Sequence, residues 1–155
     1  MGSRAYGLVI LAAALFAGPA VAQCRDDTVW LRGDWGSARF RVDLADDAEE
    51  RAQGLMFVEE MPASAGMLFV YPSERAATFW MKNTLIPLDM IFADAQGRVV
   101  TVHSRAVPHD TTPIPSGEPV QFVLEINGGL AERLGIVPGS EMQHPAIADP
   151  VWPCE

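Results

Sequence analysis

At 155 residues the chain has room for one domain. Half of it is apolar (49%) and only 20% is charged, which excludes a disordered or low-complexity protein, and 12 Pro and 13 Gly scattered without a period exclude a collagen-like repeat. Its 11 Lys and Arg against 20 Asp and Glu give a formal charge of −9, too few cations to neutralise a run of phosphates, so no nucleic-acid partner is expected.

The first segment in the chain reads as an export leader. Arg4 supplies a positive start, Leu8 to Ala17 is an apolar run, and Ala20-Val21-Ala22 has the small-x-small pattern of a cleavage site. Residues 1–22 are predicted to be removed, leaving 23–155 as a single β-rich domain in the periplasm or outside the cell. Gly18-Pro19 interrupts the apolar stretch and argues against a retained membrane span. Gln23 stands where lipoprotein processing wants a small residue, which argues against a lipid on Cys24. Cleavage removes one cation and no acid, so the exported chain is more acidic still. In an oxidising compartment Cys24 and Cys154 are expected to pair, and their spacing excludes a CxxC redox site.

Residues 24–36 carry Trp30 and Trp35, and their periodicity does not separate a strand from a lead-in. From Ala38 to Leu44 the pattern alternates, Phe40, Val42 and Leu44 against Arg39, Arg41 and Asp43, as in a half-buried strand. Asp46 with Glu49 reads as a capping box, the acidic run suits a helix start, and Gly54 ends a short helix over 47–53. Five apolar runs punctuated by turn residues follow: 66–71, 76–81, 88–93, 98–104 and 120–126. Asp94-Ala95-Gln96-Gly97 makes residues 88–104 a hairpin. Residues 105–119, with four prolines and Gly117, are predicted to be a long exposed loop. A second short helix over 128–134 ends at Gly135, and a last strand is expected near 141–144. Many short strands, two short helices and no βαβ rhythm predict a mainly β fold, a compact antiparallel barrel or a jelly-roll-like sandwich.

At Arg51-Ala52-Gln53-Gly54-Leu55-Met56, Gly66-Met67-Leu68-Phe69, Phe79-Trp80-Met81-Lys82-Asn83-Thr84, Pro87-Leu88-Asp89 and Val123-Leu124-Glu125-Ile126-Asn127-Gly128-Gly129, the sequence resembles a bacterial and archaeal family known as domain of unknown function 192. The resemblance spans about 40–143. It implies a small β-rich domain, barrel or jelly-roll-like, and carries no assigned chemistry.

Among residues able to carry chemistry, Lys82 is the only lysine, set between an apolar strand and the Asn83-Thr84 turn. It is either an anion-binding donor or a strand-end charge held by a carboxylate. Asp89 and Glu125 interrupt apolar runs, where an inward carboxylate must pair or accept hydrogen bonds. With Arg51 and Lys82 they would form an ionic cluster, or reduce to structural pairs, Arg51–Glu125 or Lys82–Asp89, holding helix to sheet. Two carboxylates about 5 to 9 Å apart would also permit glycoside hydrolysis. Trp80, with Phe57 and Tyr71 as further aromatics, suits a small polar ligand, although Phe79-Trp80-Met81 also reads as core. The methionines beyond the leader, Met56, Met61, Met67, Met81, Met90 and Met142, read as core filler, since none forms a dense Met-x-Met pattern. His103, His109 and His144 have no metal-ligand spacing, so neither a metal nor a cofactor is expected.

No nucleophile elbow, P-loop or dinucleotide fingerprint is present. The sequence therefore predicts an exported, non-enzymatic module that binds a small polar molecule or an envelope protein through Arg51, Trp80, Lys82, Asn83, Asp89 and Glu125. The alternative is a periplasmic hydrolase or lyase with Asp89 or Glu125 as acid/base and Lys82 as electrostatic stabiliser. A scaffolding domain without a ligand would show only paired charges.

Overall fold

The computed structural model describes residues 24–154 and the isolated Gly2. The leader predicted over residues 1–22 lies outside the described residues.

The undecided N-terminal stretch is a strand. β1 (Thr28–Gly33) and β2 (Gly36–Ala45) form an antiparallel hairpin closed by Asp34-Trp35, with Gly36 at φ 117°. Val29 and Leu31 point inward while the half-buried Trp30 lies on the other face under the Arg39 guanidinium, so a large aromatic on the outer face masks the alternation. Helix α1 (Ala48–Gln53) has the predicted capping box one residue later than expected. Asp47 accepts the Glu50 N–H at 2.8 Å, and Glu50 reaches back to the Asp47 N–H. No residue of this one-turn helix is buried, so it stands on its caps and on Arg51.

The two runs at 66–71 and 76–81 are one strand, β3 (Ala65–Phe79), whose register slips between Val70 and Arg75. Pro72-Ser73-Glu74, read as a turn, sits in that irregularity, where no ladder bond is required of the proline. β4 (Leu88–Ala93) and β5 (Val99–Ala106) form the expected hairpin. Asp94 accepts from the N–H groups of Gln96 and Arg98, and Gly97 takes φ 82°.

β6 (Ile114–Asn127) overturns the loop expected at 105–119, since residues 114–119 are strand and pair with β3. Pro115 and Pro119 are tolerated because this half of β6 borders only β3 in the ladder; β4 joins from Phe122 onward. α2 (Leu130–Leu134) ends at Gly135, φ 85°, and β7 (Glu141–Gln143) completes the set.

The sheet runs β5-β4-β6-β3-β2-β1-β7. Its edges meet, with Val99 N–H on Ser140 O, Met142 N–H on Gly97 O and a bridge between Arg98 and Glu141, so the sheet curls into a barrel. The predicted mainly β, barrel-like class holds, with one correction: β2 and β3 are parallel, because α1 carries the chain back across. Two cores result. The first lies within the curl and takes residues from all seven strands, among them Leu31, Phe40, Leu68, Ile91, Val99, Leu124 and Met142. The second covers the opposite face of β3, β4 and β6, where Phe69, Phe79 and Phe92 stack edge to face under residues 55–61 and 80–87. Every side chain of β4 is therefore buried.

Cys24 and Cys154 are bonded as expected, with Cα atoms 5.5 Å apart. Around them Arg32 stacks on Trp152, and Gln143 donates to Pro153 O. Replacing both cysteines by serine is expected to cost about 2–4 kcal/mol in urea unfolding, since the bridge closes nearly the whole chain.

His144 is buried beside this bridge. Its Nε2 donates to Asp26 O at 2.9 Å and its Nδ1 accepts from Ala146 N–H, which holds the ring neutral, and burial lowers its pKa. The unfolded chain takes up a proton that the folded chain refuses, so this residue costs stability as pH falls below about 6.5. Melting temperatures of wild type and His144→Gln are expected to converge between pH 7.5 and pH 5; parallel curves would contradict this.

Candidate functional site

Strand alternation decides which carboxylate faces which core. Asp89 pairs across the ladder with Ile126 and shares its face, inside the curl. Glu125 pairs with Met90 on one side and Met67 on the other, on the opposite face of the sheet. The two carboxylates predicted to converge are thus separated by the sheet itself, which removes a paired-carboxylate site.

Asp89 is wholly buried and fully used. Its Oδ1 accepts from Arg105 N–H at 2.7 Å and Gly129 N–H at 2.8 Å, and its Oδ2 accepts from Ala131 N–H at 2.7 Å. It fastens the start of α2 and the left-handed residue Arg105 (φ 54°) to β4. This is a structural role, and neither predicted ion pair exists, because Lys82 does not reach Asp89 and Arg51 does not reach Glu125 within 4 Å. Arg51 does hold helix to sheet, but through main-chain oxygens. Its Nη1 donates to Val70 O at 2.9 Å and to Asp46 O, while its guanidinium and that of Arg75 each lie 5.2 Å from the Tyr71 ring. Burial raises the Tyr71 pKa, opposed by those two cations.

Four of the six predicted residues, Arg51, Trp80, Lys82 and Glu125, line one cleft between α1 and the turn after β3, walled by Leu55, Met56, Phe69, Phe79 and Thr84. Its volume is about 40 Å³. Lys82 Nζ sits 5.1 Å over the Trp80 ring at the mouth. Asn83 stays outside the lining and braces it: at φ 53° its Nδ2 donates to Met56 Sδ and its carbonyl accepts from Phe57 N–H.

Glu125 closes the floor. It is 4% exposed, has no hydrogen-bond or ion-pair partner among the described residues, and burial pushes its pKa up to about 8. Its remaining accessible surface opens into the cleft. A carboxyl so placed is costly unless something completes it.

The rim is a knot of three loops. Phe57 N–H bonds to Asn83 O, Met81 N–H to Asp110 O and His109 N–H to Thr84 O. Three of the four non-glycine residues with positive φ among the described residues, Phe57, Asn83 and His109, lie here. Phe57 is also 66% exposed, so a bulky aromatic is held in a costly conformation against water. The sequence placed Phe57 only among secondary aromatics. Met67 and Met90, which flank Glu125, it read as filler, since one sequence carries no register between strands.

The family model described as "Uncharacterized ACR, COG1430" (DUF192) matches residues 29–144. The chain belongs to the DUF192 family. The match begins before the predicted Phe40 and takes in β1. The chain is also similar to solved structures. A protein of unknown function from Novosphingobium aromaticivorans DSM 12444 is 48% identical over 74% of this chain and 82% of its own, with a TM-score of 0.73. A protein from Sinorhizobium meliloti 1021, provisionally described as a transcription regulator, is 40% identical over 81% of this chain and 98% of its own, with a TM-score of 0.76. None of the curated proteins matches the chain.

Proposed function

We propose that this DUF192 protein is an exported binding module that takes a small polar ligand in the Glu125 cleft. The observation that carries the reading is Glu125 itself, nearly buried as a residue, whose carboxyl oxygens have no protein partner among the described residues and open into the cleft. A scaffolding domain would leave no such group open. The volume, about 40 Å³, admits an ion or one end of a larger molecule laid across Trp80 at the mouth. Periplasmic or secreted residence follows the leader reading of residues 1–22, and the Cys24–Cys154 bridge is compatible with an oxidising compartment.

Native mass spectrometry of protein isolated from the exported fraction tests the reading. The wild type is expected to begin at Gln23 and to carry an added mass that Glu125→Gln loses. An unmodified mass in both, or an adduct kept by the variant, would sink it.

A raised carboxyl pKa also suits a general acid, which keeps a lyase or hydrolase using Glu125 alone as the second reading. Turnover of envelope sugars or esters that vanishes in Glu125→Gln would favour it.

A further inference from the structure

The occupant of this cleft can be narrowed further, on the reading above that the cleft is a ligand site. Its volume of about 40 Å³ is close to the share of one water in the liquid, about 30 Å³, and far below the several hundred Å³ of a pocket that encloses a whole small molecule. The space takes one terminal group of a ligand. The rest of the molecule lies outside it, where the Trp80 ring, 48% exposed, offers an apolar platform at the mouth.

The lining fixes the charge of that group. Arg51 and Lys82 are its two cations and Glu125 its one acid. Neither cation has a carboxylate partner among the described residues, where the ion pairs are Arg25–Asp27, Arg32–Glu141 and Arg105–Glu132. Both hydrogen bonds of the Arg51 side chain leave from Nη1, so its Nε and Nη2 have no protein acceptor among the described residues. Lys82 Nζ has the Trp80 ring and, among the described residues, no oxygen.

Glu125 does not cancel these charges. Its oxygens lie more than 4 Å from both cations, and burial keeps its proton on until about pH 8. At neutral pH the lining is therefore cationic, with an O–H donor at its floor.

Such a lining complements an anion, and the size and shape of the space select a carboxylate. A carboxylate is planar like the guanidinium. It also accepts a short, charge-assisted O–H···O⁻ bond from a protonated carboxyl, which gives Glu125 the partner it lacks. A phosphate or sulfate brings a further oxygen and a larger head into the same small volume.

We propose that the cleft binds a small organic acid, with its carboxylate between the Glu125 carboxyl and the Arg51 and Lys82 side chains and its carbon skeleton on the Trp80 ring.

NMR titration of the wild-type exported chain, dialysed free of any occupant and read at the Trp80 indole N–H, provides the test. Acetate, benzoate and glucuronate carry the carboxylate on bodies of different shape. Benzamide and glucose are uncharged counterparts, and inorganic phosphate is a second anion. At least one carboxylate is expected to bind one to one, shifting the Trp80 signal and leaving Trp35 unmoved, with benzamide, glucose and phosphate at least about tenfold weaker. Lys82 is exposed, so Lys82→Gln should fold and bind at least about tenfold more weakly, while Arg133→Gln, a cation outside the cleft, changes nothing. Glu125→Gln should lose at least as much, since an amide N–H replaces the charge-assisted bond.

The charged and titratable groups lining the cleft or acting on Glu125 are Arg51 from α1, Lys82 from the turn after β3 and Tyr71 from β3, whose pKa burial raises. Wild-type affinity is expected to fall about tenfold from pH 7 to pH 9 as Glu125 gives up its proton, and the residual affinity of Glu125→Gln to stay level. Binding by none of the three carboxylates, a neutral counterpart or phosphate matching them, affinity indifferent to Lys82 or Glu125, or the same pH profile in Glu125→Gln would overturn the proposal. If the carboxylates fail while exported protein still carries a mass lost in Glu125→Gln, the organic-acid inference falls and the cleft reading stands; loss of both results removes both.

Discussion

Replacing Asp89 by alanine is expected to destabilise the protein by about 5 kcal/mol in urea unfolding. Three main-chain N–H groups, from Arg105, Gly129 and Ala131, would lose their acceptor in the interior of the curl. Each buried donor left unsatisfied costs about 1–3 kcal/mol, and relief from burying the carboxylate offsets part of the sum. Asparagine keeps the shape but turns an amide N–H toward donors, so about half the loss is expected from Asp89→Asn. Because Asp89 faces away from the cleft, folded Asp89→Asn should retain any cleft ligand as the wild type does. A cost under about 1 kcal/mol for alanine, or ligand lost from folded Asp89→Asn, would contradict this assignment.

Glu125 should behave in the opposite sense, with Glu125→Gln stabilising the ligand-free protein at alkaline pH. The carboxyl titrates at 4.5 in the unfolded chain and at about 8 when folded. Below 4.5 both states carry the proton and the group imposes no charge penalty. As pH rises toward 8 the unfolded chain ionises first, so the folded state loses stability, and above 8 the full cost of a buried charge is present. At about 1.4 kcal/mol per pH unit the upper bound is about 5 kcal/mol, and water reaching the cleft lowers it. The stability difference between variant and wild type is therefore expected to grow from near zero at pH 4.5 to a few kcal/mol at pH 8.5. A difference that does not change with pH would mean that Glu125 is solvated or paired in solution.

Much of the fold was legible because local chemistry fixed it. The Asp94–Gly97 turn, the acidic start and Gly54 stop of α1, and the alternation from Ala38 to Leu44 each depend on a few neighbouring residues. The errors share a tertiary cause. Pro115 and Pro119 deny regular pairing only if both sides of a strand are used, and at that end of β6 one side is free of the ladder. Pro72 looks like a terminus until the bulge that accommodates it is known.

The site was half legible for the same reason. Arg51, Trp80, Lys82 and Glu125 do meet, but Asp89 was grouped with them because it too interrupts an apolar run. Both faces are buried, so a carboxylate interrupting an apolar run belongs to whichever core its register dictates. The same missing register hid Met67 and Met90 on either side of Glu125.

A crystal structure of the protein taken from its native compartment, at a resolution that places single atoms, measures the central claim most directly. Non-protein density within bonding distance of the Glu125 carboxyl, absent from Glu125→Gln, is the predicted result. A Glu125 satisfied by the Arg51 or Lys82 side chain, with nothing else in the cleft, would contradict it.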